Sequence, residues 1–535
     1  MTAPAVAGGE QAPALGGRRR RGVALLAAGA AILGTGTLLL GASMPGARTA
    51  TVGPNLAIDA EAADNRRPTA NNSPSLVRNP VRPANLVVAN RIDNPLFSCA
   101  LHVSSDAGAS WAETAIPFPD GEESPPRCFA PDVAFGPDGR LFVAFSTLIG
   151  AGNSPHAAWI ATSADGGRTL SVPTKVLGPL AFQVRLTADP VRRDRLYLAW
   201  LQASGVGTLS FTEEGNPVDV SRSDDGGRTW SPPRSISAAG RRMVVAPSPV
   251  LGAGGSLYCA YLDLGDDRLD YEGAHEGRGG EPYNGTWQLV VARSLDGGRT
   301  WRDTVVDPAL VPTTRFVVYL PELPSLAVDR ARRRVYVAYQ SARQGDSDVY
   351  VWTSTDGGIR FSRGTRVNDT PRHDRTSQYL PQLAVAPDGR LDVVYDDRRG
   401  DPADVLDNVS LQSSVDGGRS FGSRIRLSDH AFDSRIGFGS ETGLADLGSR
   451  LALVSTDGAA LAVWPDTRAG GVTTPASGGF EKQDLARAVV AFRRPSPLRT
   501  PLRAAGAALL GLVGLLLVAG SRGWRSTGGR GRRQR

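Results

Sequence analysis

Short apolar runs separated by turn residues recur along the chain, and no long segment between residues 51 and 493 has a helical period. One run ends in an aromatic residue in six copies and in asparagine in one. The copies are VVAN (87–90), FVAF (142–145), YLAW (197–200), YCAY (258–261), YVAY (336–339), DVVY (392–395) and LAVW (461–464). A second apolar run precedes the copies across a turn, as in PDVAFGPDGRLFVAF (131–145). These pairs of runs predict β-hairpins.

An octapeptide is the second repeated element. It appears as SSDAGASW (104–111), SADGGRTL (163–170), SDDGGRTW (223–230), SLDGGRTW (294–301), STDGGIRF (354–361) and SVDGGRSF (414–421). Successive aspartates are 59, 60, 71, 60 and 60 residues apart; they are Asp106, Asp165, Asp225, Asp296, Asp356 and Asp416. Aspartate accepts hydrogen bonds from the N–H groups of a turn, and glycine supplies positive φ. The octapeptide therefore predicts a hairpin turn whose aspartate is structural.

Together the two elements predict a unit of four antiparallel strands, A to D. Strands A and B form the first hairpin, a variable connection leads to strand C, and the octapeptide turns the chain into strand D. Repeated four-stranded units of ~55–60 residues predict a β-propeller. Seven apolar runs indicate an all-β, seven-bladed propeller over residues 51–493. The alternative is a six-bladed ring with residues 434–493 as a separate module.

The seventh unit lacks an octapeptide and a fourth strand. Its strands A, B and C fall near residues 449–456, 459–465 and 484–492, whereas TVGPNLAID (51–59) has no unit of its own. We expect residues 51–59 to complete blade seven as strand D, because this removes an open sheet edge. Strand parity then places residues 50 and 493 at the end of the blade where the octapeptide turns lie. The D–A and B–C connections lie on the opposite, outward face.

Two stretches outside the repeats, residues 22–43 and 504–520, contain no charged side chain. About 20 apolar residues cross a bilayer as a helix, and we expect transmembrane helices at both stretches. For residues 22–43 the alternative is a cleaved signal peptide. Its apolar run is longer than the usual ~7–15 residues, and no clean cleavage site follows.

The net charge of +7 is concentrated at the two ends of the chain. Residues 1–21 carry +3 and residues 521–535 carry six arginines and no acid, whereas residues 51–492 carry −7. This distribution argues against nucleic-acid binding. By the positive-inside rule it predicts two basic cytoplasmic tails, a chain held in the cell membrane, and a propeller on the extracytoplasmic side.

The octapeptide resembles the Asp-box, or BNR repeat, and residues 51–493 resemble the sialidase-like Asp-box propellers. The resemblance implies a propeller fold with its ligand on the face opposite the Asp-box turns. It does not fix the function, because such propellers also serve as sorting receptors, assembly factors and several glycosidases.

Three cysteines are too few for a disulfide scaffold or a multi-cysteine zinc site. Cys99 begins strand C of blade one and Cys128 ends the connection entering blade two, so both lie at the outward face. We expect a disulfide between them, which an extracytoplasmic location permits. Cys259 lies inside strand B of blade four and is expected to be a buried apolar residue.

The resemblance implies a specific site if the protein is a sialidase. Such enzymes bind the substrate carboxylate with arginines and use a tyrosine nucleophile assisted by a glutamate, with an aspartate as acid/base. Asn72 stands where the first arginine of the family's R-I-P motif belongs, and this departure disfavours hydrolysis. Arg91 fits the place of the second arginine, and Asp93 is the candidate acid nearby.

Aligning the starts of the A strands predicts a ring of residues at one end of the central channel. Its members are Asn72, Phe129, Gln183, Val245, Glu322 and Tyr379. Tyr379 resembles the family's nucleophile, and Glu322 in the adjacent blade is the candidate partner. The alternative is a structural tyrosine hydrogen-bonded to a carboxylate. The candidate substrate-binding arginines near the outward face are Arg91, Arg185, Arg315, Arg372 and Arg375.

The remaining polar motifs carry weaker signals. YDDRRG (395–400) and WPDTRAG (464–470) place Asp and Arg after strand B, where a salt-bridged brace is the simpler interpretation. The acidic insert 262–286 offers oxygen ligands suited to Ca²⁺, but its spacing matches no known loop and a solvated loop is the alternative. No zinc, phosphate-loop or dinucleotide motif occurs, so we expect no metal and no cofactor.

Two classes of function remain. The favoured one is a membrane-anchored, extracytoplasmic propeller that binds a glycan, a protein or another cell-surface ligand without catalysis. The alternative is a glycoside hydrolase of the exo-α-sialidase type that uses Tyr379. A cofactor-dependent enzyme is a third and weaker hypothesis, and the sequence makes no prediction of oligomeric state.

Overall fold

The computed structural model describes residues 48–59, 70–93, 96–119, 127–150, 153–205, 215–241, 243–267, 283, 285–313, 321–434, 447–468 and 483–493. Residues Thr51–Ala491 form one compact unit, and residues 1–50 with 492–535 form a second. Within the described ranges, no helix is long and apolar enough to cross a membrane. The predicted transmembrane stretches, 22–43 and 504–520, and both predicted tails lie outside those ranges.

The larger unit is a β-propeller of seven antiparallel sheets. In each sheet, strand A is the innermost, because it contacts the A strands of the two neighbouring blades. The A strand of blade seven contacts that of blade one and closes the ring. The prediction of seven four-stranded blades is confirmed, and the six-bladed alternative is wrong.

The strands follow the predicted A-to-D order in every blade. The first strands of the chain are β1 (Thr49–Val52) and β2 (Leu56–Ala57). Blades one and two contain β3 (Asn71–Arg78), β4 (Leu86–Ile92), β5 (Ser98–Ser104), β6 (Ala112–Thr114), β7 (Cys128–Phe135), β8 (Leu141–Ile149), β9 (Ser154–Ser163) and β10 (Thr174–Leu177). Blades three and four contain β11 (Ala181–Ala188), β12 (Leu196–Gln202), β13 (Val218–Ser223), β14 (Arg234–Ser235), β15 (Val244–Leu251), β16 (Leu257–Asp263), β17 (Trp287–Ser294) and β18 (Arg302–Leu310).

Blades five to seven complete the ring. Blades five and six contain β19 (Ser325–Asp329), β20 (Arg334–Ser341), β21 (Asp348–Ser354), β22 (Thr365–Arg366), β23 (Gln378–Val385), β24 (Leu391–Asp397), β25 (Leu406–Ser414) and β26 (Ile425–Arg426), with β27 (Phe432–Asp433) added beside β25. Blade seven contains β28 (Ala452–Ser455), β29 (Ala459–Asp466) and β30 (Asp484–Arg493), with β1 and β2 at its outer edge.

The B strands supply the core between the blades. Both faces of a B strand are covered by a neighbouring blade, so these strands are buried at almost every position and mainly apolar rather than alternating. Strand β16, for example, is buried along its whole length. The recurrent aromatic that ends the apolar run, such as Trp200, Tyr261 or Trp464, is almost completely buried.

Residues 51–59 complete blade seven, as predicted. Gly53 N–H donates to Val489 C=O at 2.8 Å, Leu56 lies opposite Arg487, and Ile58 N–H donates to Leu485 C=O at 2.8 Å. The added strand is therefore antiparallel to β30. Thr51 and Ala491, the first and last residues of this unit, consequently lie at the same end of the blade.

That end carries the turns between strands A and B and between strands C and D; we call it the octapeptide face. The B–C and D–A connections lie at the opposite end, which we call the mouth face. Strand parity alone separates the two, because consecutive antiparallel strands connect at alternating ends. The predicted polarity is confirmed: the unit begins and ends at its octapeptide face.

The octapeptide forms a side-chain-stabilised turn. In blade three, the Asp225 carboxylate accepts hydrogen bonds from Thr229 N–H at 2.9 Å and from the Thr229 hydroxyl at 2.6 Å, while Gly227 N–H donates to Ser223 Oγ at 2.9 Å. In blade two, Gly167 has a φ of +100°, and a Cβ there would come within 2.9 Å of Val103 in blade one. The aspartates are structural, as the sequence predicts.

These turns make the propeller sensitive to acid. Hydrogen bonds from Thr229 lower the pKa of Asp225 to about 2, and bonds from Ser110 do the same for Asp106. The pKa of these aspartates is lower in the folded protein than its value of about 3.9 in the unfolded chain. Their ionised form therefore stabilises the fold at pH values above about 3.9, and this stabilisation is lost as the pH falls toward 2. We expect the thermal midpoint to fall between pH 4 and pH 2. Asp225→Asn should weaken this dependence by the share of one of the six turns, and an unchanged profile in that variant would contradict the assignment.

A disulfide joins blades one and two at the mouth face. Cys99 in β5 and Cys128 at the start of β7 are bonded, with their Cα atoms 5.5 Å apart. Cys259 is buried in β16, and burial raises the pKa of its thiol to about 12. The two paired cysteines fix the position of strand C of blade one against the next A strand.

Removing the disulfide should destabilise the blades that it joins. The two cysteines are 29 residues apart, and closing a loop of that length contributes roughly 3–4 kcal/mol through the unfolded chain. We expect Cys99→Ser to shift the urea midpoint downward by an amount that corresponds to this range. Cys259→Ala serves as the cysteine control outside the disulfide. A reductant should reproduce the Cys99→Ser shift in the native chain and change the variant no further.

Candidate functional site

A repeated irregularity shapes the mouth of the central channel. The register shifts near the start of five A strands, where one residue has positive φ; these residues are Ser73, Ala130, Gln183, Ala246 and Leu380. The residue before each one is paired with the end of strand B. In blade three that residue is Phe182, so the predicted ring position Gln183 is wrong by one. The sequence alignment failed there because blade three has Val184 where all five of the other compared blades have proline, two residues after the ring residue.

The ring divides into an apolar arc and a polar arc. The apolar arc contains Phe129, Phe182 and Val245 in blades two to four, and the last two are paired with Leu201 and Leu262. The polar arc contains Glu322 in blade five, Tyr379 in blade six and Asn72 in blade one. Tyr379 is paired with Asp396, and Asn72 with Arg91. Phe129 and Phe182 are only partly buried.

The polar arc meets the apolar arc at Arg91. Arg91 forms an ion pair with Asp93, to which Asn72 also donates a hydrogen bond of 2.8 Å. The Arg91 guanidinium carbon lies 4.9 Å from the centroid of the Phe129 ring, which packs edge-on against Phe97. Arg91 is 8% exposed and Asp93 is 3% exposed. Of the predicted residues, Arg91 and Asp93 are therefore brought together, at the boundary between the arcs.

Tyr379 lies at the centre of a second cluster, in blade six. Its hydroxyl donates to Asp407 Oδ2 at 2.7 Å and accepts from Arg398 Nη2 at 3.1 Å. Arg398 Nε also donates to Asp407 Oδ1 at 3.0 Å. Asp396 is 1% exposed, and its Oδ1 has no hydrogen-bond partner among the described residues.

Burial controls protonation in the Tyr379 cluster. It raises the pKa of Asp407 to about 6, against the opposing effect of Arg398. Burial, with the nearby charge of Asp407, raises the pKa of Asp396 well above its ordinary value. It also raises the pKa of Tyr379, which Arg398 partly offsets. Burial therefore favours the protonated form of both carboxyls, and at Asp407 Arg398 and the Tyr379 hydrogen bond counteract it.

Glu322 occupies a different part of the polar arc. It accepts a hydrogen bond of 3.4 Å from Tyr339 in the neighbouring B strand. The carboxylate bonded to the Tyr379 hydroxyl is Asp407, so the predicted pairing of Tyr379 with Glu322 is replaced by two separate tyrosine–carboxylate bonds. The register explains this: Arg398 and Asp407 are brought opposite each other across the hairpin that pairs Asp397 with Asn408.

Below the mouth, polar side chains of the A strands form hydrogen bonds and an ion pair with one another. Asp132 in blade two accepts from Ser75 and from Arg185 Nε at 2.8 Å. The buried Arg450 donates to the carbonyl oxygens of Pro74 at 3.0 Å and Pro131 at 2.7 Å. Burial, together with Arg185, lowers the pKa of Arg450 to about 9. Arg185 is thus an ion-pair partner inside the channel rather than a residue at its mouth.

The other candidates stand apart from these clusters. Arg372 and Arg375 are exposed on the mouth face, and Arg375 N–H donates to Asp346 at 2.7 Å. Arg315 lies outside the described residues. Arg399 pairs with Asp397, and Arg468 pairs with Asp466, as predicted for braces. In the described ranges, no group of three or more His, Cys, Asp or Glu residues is arranged to hold a metal ion; most of the acidic insert lies outside them.

Sequence reasoning missed Asp396, Asp407 and Arg450. Asp396 belongs to YDDRRG, which was interpreted only as a brace. Asp407 could have been found because it opens strand C directly across from Arg398. Arg450 is a lone arginine in the apolar run LGSRLALVS (447–455), a signal of a buried charge with a dedicated partner.

Comparisons with known proteins find similarity over part of the chain. A Paenibacillus xyloglucanase is 30% identical over 218 residues, which cover 39% of this chain and 18% of the relative. The xyloglucanase Xgh74A of Acetivibrio thermocellus is 27% identical over 330 residues, which cover 58% of this chain and 34% of the relative. The chain thus spans about a third or less of the length of these relatives. No protein-family profile matches it.

Solved structures with a similar fold include carbohydrate-active propellers. A sialidase, Hz136, has a TM-score of 0.39 at 13% identity and covers 78% of this chain and 75% of its own. An α-L-arabinanase of Penicillium chrysogenum has a TM-score of 0.40 at 17% identity, covering 69% of this chain and 95% of its own. With scores this low, the strand topology itself is the evidence for the propeller.

Proposed function

We propose that this chain is a membrane-anchored, extracytoplasmic propeller that binds a glycan across its mouth and acts on it as a glycoside hydrolase. The observation that carries the proposal is the division of the mouth into two arcs. Partly buried phenylalanines form one side, and carboxyl groups with a tyrosine form the other. Ligand sites are mostly apolar with a few convergent polar groups, and a sugar ring presents C–H faces as well as hydroxyls.

The ion pairs of the two arcs and the channel favour a neutral glycan; Arg372 and Arg375 are exposed elsewhere on the mouth face. Arg91 is paired with Asp93, and Arg398 with Asp407, at contact distances. Arg185, deeper in the channel, is paired with Asp132. A carboxylate-bearing sugar needs a cluster of guanidinium groups to offset its charge, and each of these three arginines already has an aspartate. The partial relatives that are named xyloglucanases agree with a neutral substrate.

The Tyr379 cluster supplies the chemistry for hydrolysis. Glycoside cleavage needs a protonated acid at the leaving oxygen and a carboxylate that acts as a base or nucleophile. Burial favours a proton on Asp396, whose Oδ1 has no hydrogen-bond partner among the described residues, whereas the pKa of Asp407 is raised to about 6. Asp396 fits the acid, Asp407 the base, and Arg398 positions Asp407.

Access to this cluster requires a conformational step. Tyr379 and Asp396 are each 1% exposed, so a sugar reaches them only after the surrounding side chains move. Closure over a substrate is common in enzymes that exclude water from the reacting bond. We expect the first contact at the ring of Phe129, which is only partly buried.

An exo-α-sialidase activity is a second candidate because Tyr379 lies beside a carboxylate and an arginine. The same three-group arrangement suits a tyrosine nucleophile. Asn72, in place of the first arginine, speaks against it. The first candidate accepts a neutral sugar and the second a sugar with a carboxylate, so a choice of substrates distinguishes the two.

A substrate panel tests the proposal. Purified full-length protein is incubated with xyloglucan oligosaccharides, arabinan oligosaccharides and sialyllactose, and binding and released products are measured. We expect binding and cleavage of a neutral glycan. Phe129→Ala should weaken binding, whereas Phe361→Ala, a partly buried phenylalanine on the octapeptide face, should not. Cleavage of sialyllactose alone would support the second candidate, and no binding to any glycan would contradict both.

A further inference from the structure

The octapeptide face carries exposed apolar residues at the tips of its turns. Among the described residues, six of the large hydrophobic side chains that are exposed lie in A–B or C–D connections. They are Val81 at 58%, Val172 at 81%, Val191 at 83%, Leu295 at 67%, Ile359 at 51% and Val415 at 72%. They occur in blades one to six, so they are spread around the ring rather than gathered into a core.

Arginines surround these tips. The described A–B and C–D connections contain twelve exposed arginines and five exposed aspartates. The arginines are Arg82, Arg168, Arg192, Arg193, Arg228, Arg299, Arg330, Arg332, Arg333, Arg360, Arg363 and Arg419. The aspartates are Asp106, Asp138, Asp224, Asp356 and Asp457. With the partly and fully buried residues included, these connections contain sixteen arginines and twelve aspartates, so the face has a net positive charge, although residues 51–492 carry a net charge of −7.

The repeat accounts for three of the six apolar tips, Leu295, Ile359 and Val415. The second and sixth positions of the octapeptide point into solvent, whereas its Ser, Asp and Gly form the turn. In blade four these positions are Leu295 and Arg299, and in blade six they are Val415 and Arg419. The turn itself is satisfied by internal hydrogen bonds, so these exposed positions are not needed to form it.

The combination fits an anionic lipid surface. Arginine side chains bind lipid phosphates and remain charged at all accessible pH values, and isolated apolar side chains among cations insert into the headgroup region. A folded protein partner would instead call for a contiguous apolar patch, which scattered tips do not provide. The unit also begins and ends at this face, at Thr51 and Ala491. In the sequence, Thr51 follows the apolar stretch 22–43 by 8 residues, and Ala491 precedes the stretch 504–520 by 13.

We propose that the octapeptide face docks on an anionic bilayer and holds the mouth face away from it. The inference rests on the proposed membrane placement of the chain but not on its glycan chemistry. If this face docks, the connections on it orient the propeller on the membrane. They act in addition to the segments that join the propeller to the apolar stretches 22–43 and 504–520.

A lipid-quenching experiment tests the docking. The native chain has three cysteines, of which two are in the disulfide and Cys259 is buried. A cysteine introduced by Val415→Cys can thus carry an environment-sensitive fluorophore. The full chain is placed in nanodiscs of phosphatidylcholine, with or without phosphatidylglycerol, that contain a headgroup spin-labelled lipid. Arg372→Cys on the mouth face is the matched probe.

The expected result is quenching of the Val415 probe in anionic discs and none of the Arg372 probe. Arg192→Glu with Arg193→Glu should reduce that quenching, whereas Arg372→Glu with Arg375→Glu should not. Equal signals from the two probes, or equal quenching in neutral discs, would overturn the docking while leaving the glycan proposal intact. A chain that does not associate with the discs would overturn the membrane placement and this inference with it.

Discussion

Replacing Asp407 with asparagine is expected to lower the rate of glycan cleavage by about 10²–10⁴-fold, the range that a general acid or base contributes. The variant keeps the shape of the side chain but cannot be ionised or take a proton. Asp396→Asn should have an effect of the same order, because it removes the protonated carboxyl from the cluster. The measurement is the initial rate of reducing-end release from the oligosaccharide that the substrate panel identifies.

The pH profile separates these roles from a structural one. Because burial raises the pKa of Asp407 to about 6, a base at this position is ionised above pH 6 and protonated below it. The native rate should therefore fall as the pH drops through about 6, and Asp407→Asn should lose that limb. Asp138→Asn, on the octapeptide face, should retain the native rate and profile. A native profile with no limb near pH 6 would remove Asp407 from the base role.

The largest expected loss of stability follows from Ile58→Asp. Ile58 is 4% exposed and packs with Leu76, Leu461 and Leu485 where the borrowed strand meets blades one and seven. Placing a carboxylate there removes the apolar contact and buries an unpaired charge, which together cost about 4–5 kcal/mol. Because this strand completes blade seven and Ile58 also packs against blade one, we expect a lower thermal midpoint and rapid proteolysis of blade seven.

Leu56→Asp is the control for this substitution. Leu56 lies two residues earlier on the same strand and is 38% exposed. It should change the free energy of unfolding by less than about 1 kcal/mol, as exposed substitutions usually do. If the two variants unfold alike, residues 51–59 do not hold blade seven in place through Ile58.

The fold could be predicted from the sequence because every blade repeats the same local physics. The octapeptide forms its turn from its own Ser, Asp and Gly, and the apolar run before it can only be a strand buried on both sides. Blade seven was predictable for a different reason: residues 51–59 had no partner, and blade seven lacked a strand. These inferences need only the local sequence pattern and the rule that a sheet avoids an open edge strand.

The site was less predictable because its residues meet through register and packing. In five of the seven A strands a single αL residue decides which side chain faces the mouth, and valine in place of proline hid this in blade three. Tyr379 was identified from its place in the ring, but its partner depends on a hairpin that sets Asp407 opposite Arg398. The arc of phenylalanines appears only when non-adjacent segments are assembled into the ring.

Hydrogen–deuterium exchange of the full chain, with and without a neutral oligosaccharide, tests the central claim most directly. If a glycan binds across the mouth, the amides of residues 128–130, 378–380 and 396–407 should gain protection. The octapeptide turns at 223–230 and 294–301 should not change. Protection confined to the octapeptide face, or a bound glycan that protects none of the mouth segments, would contradict the account.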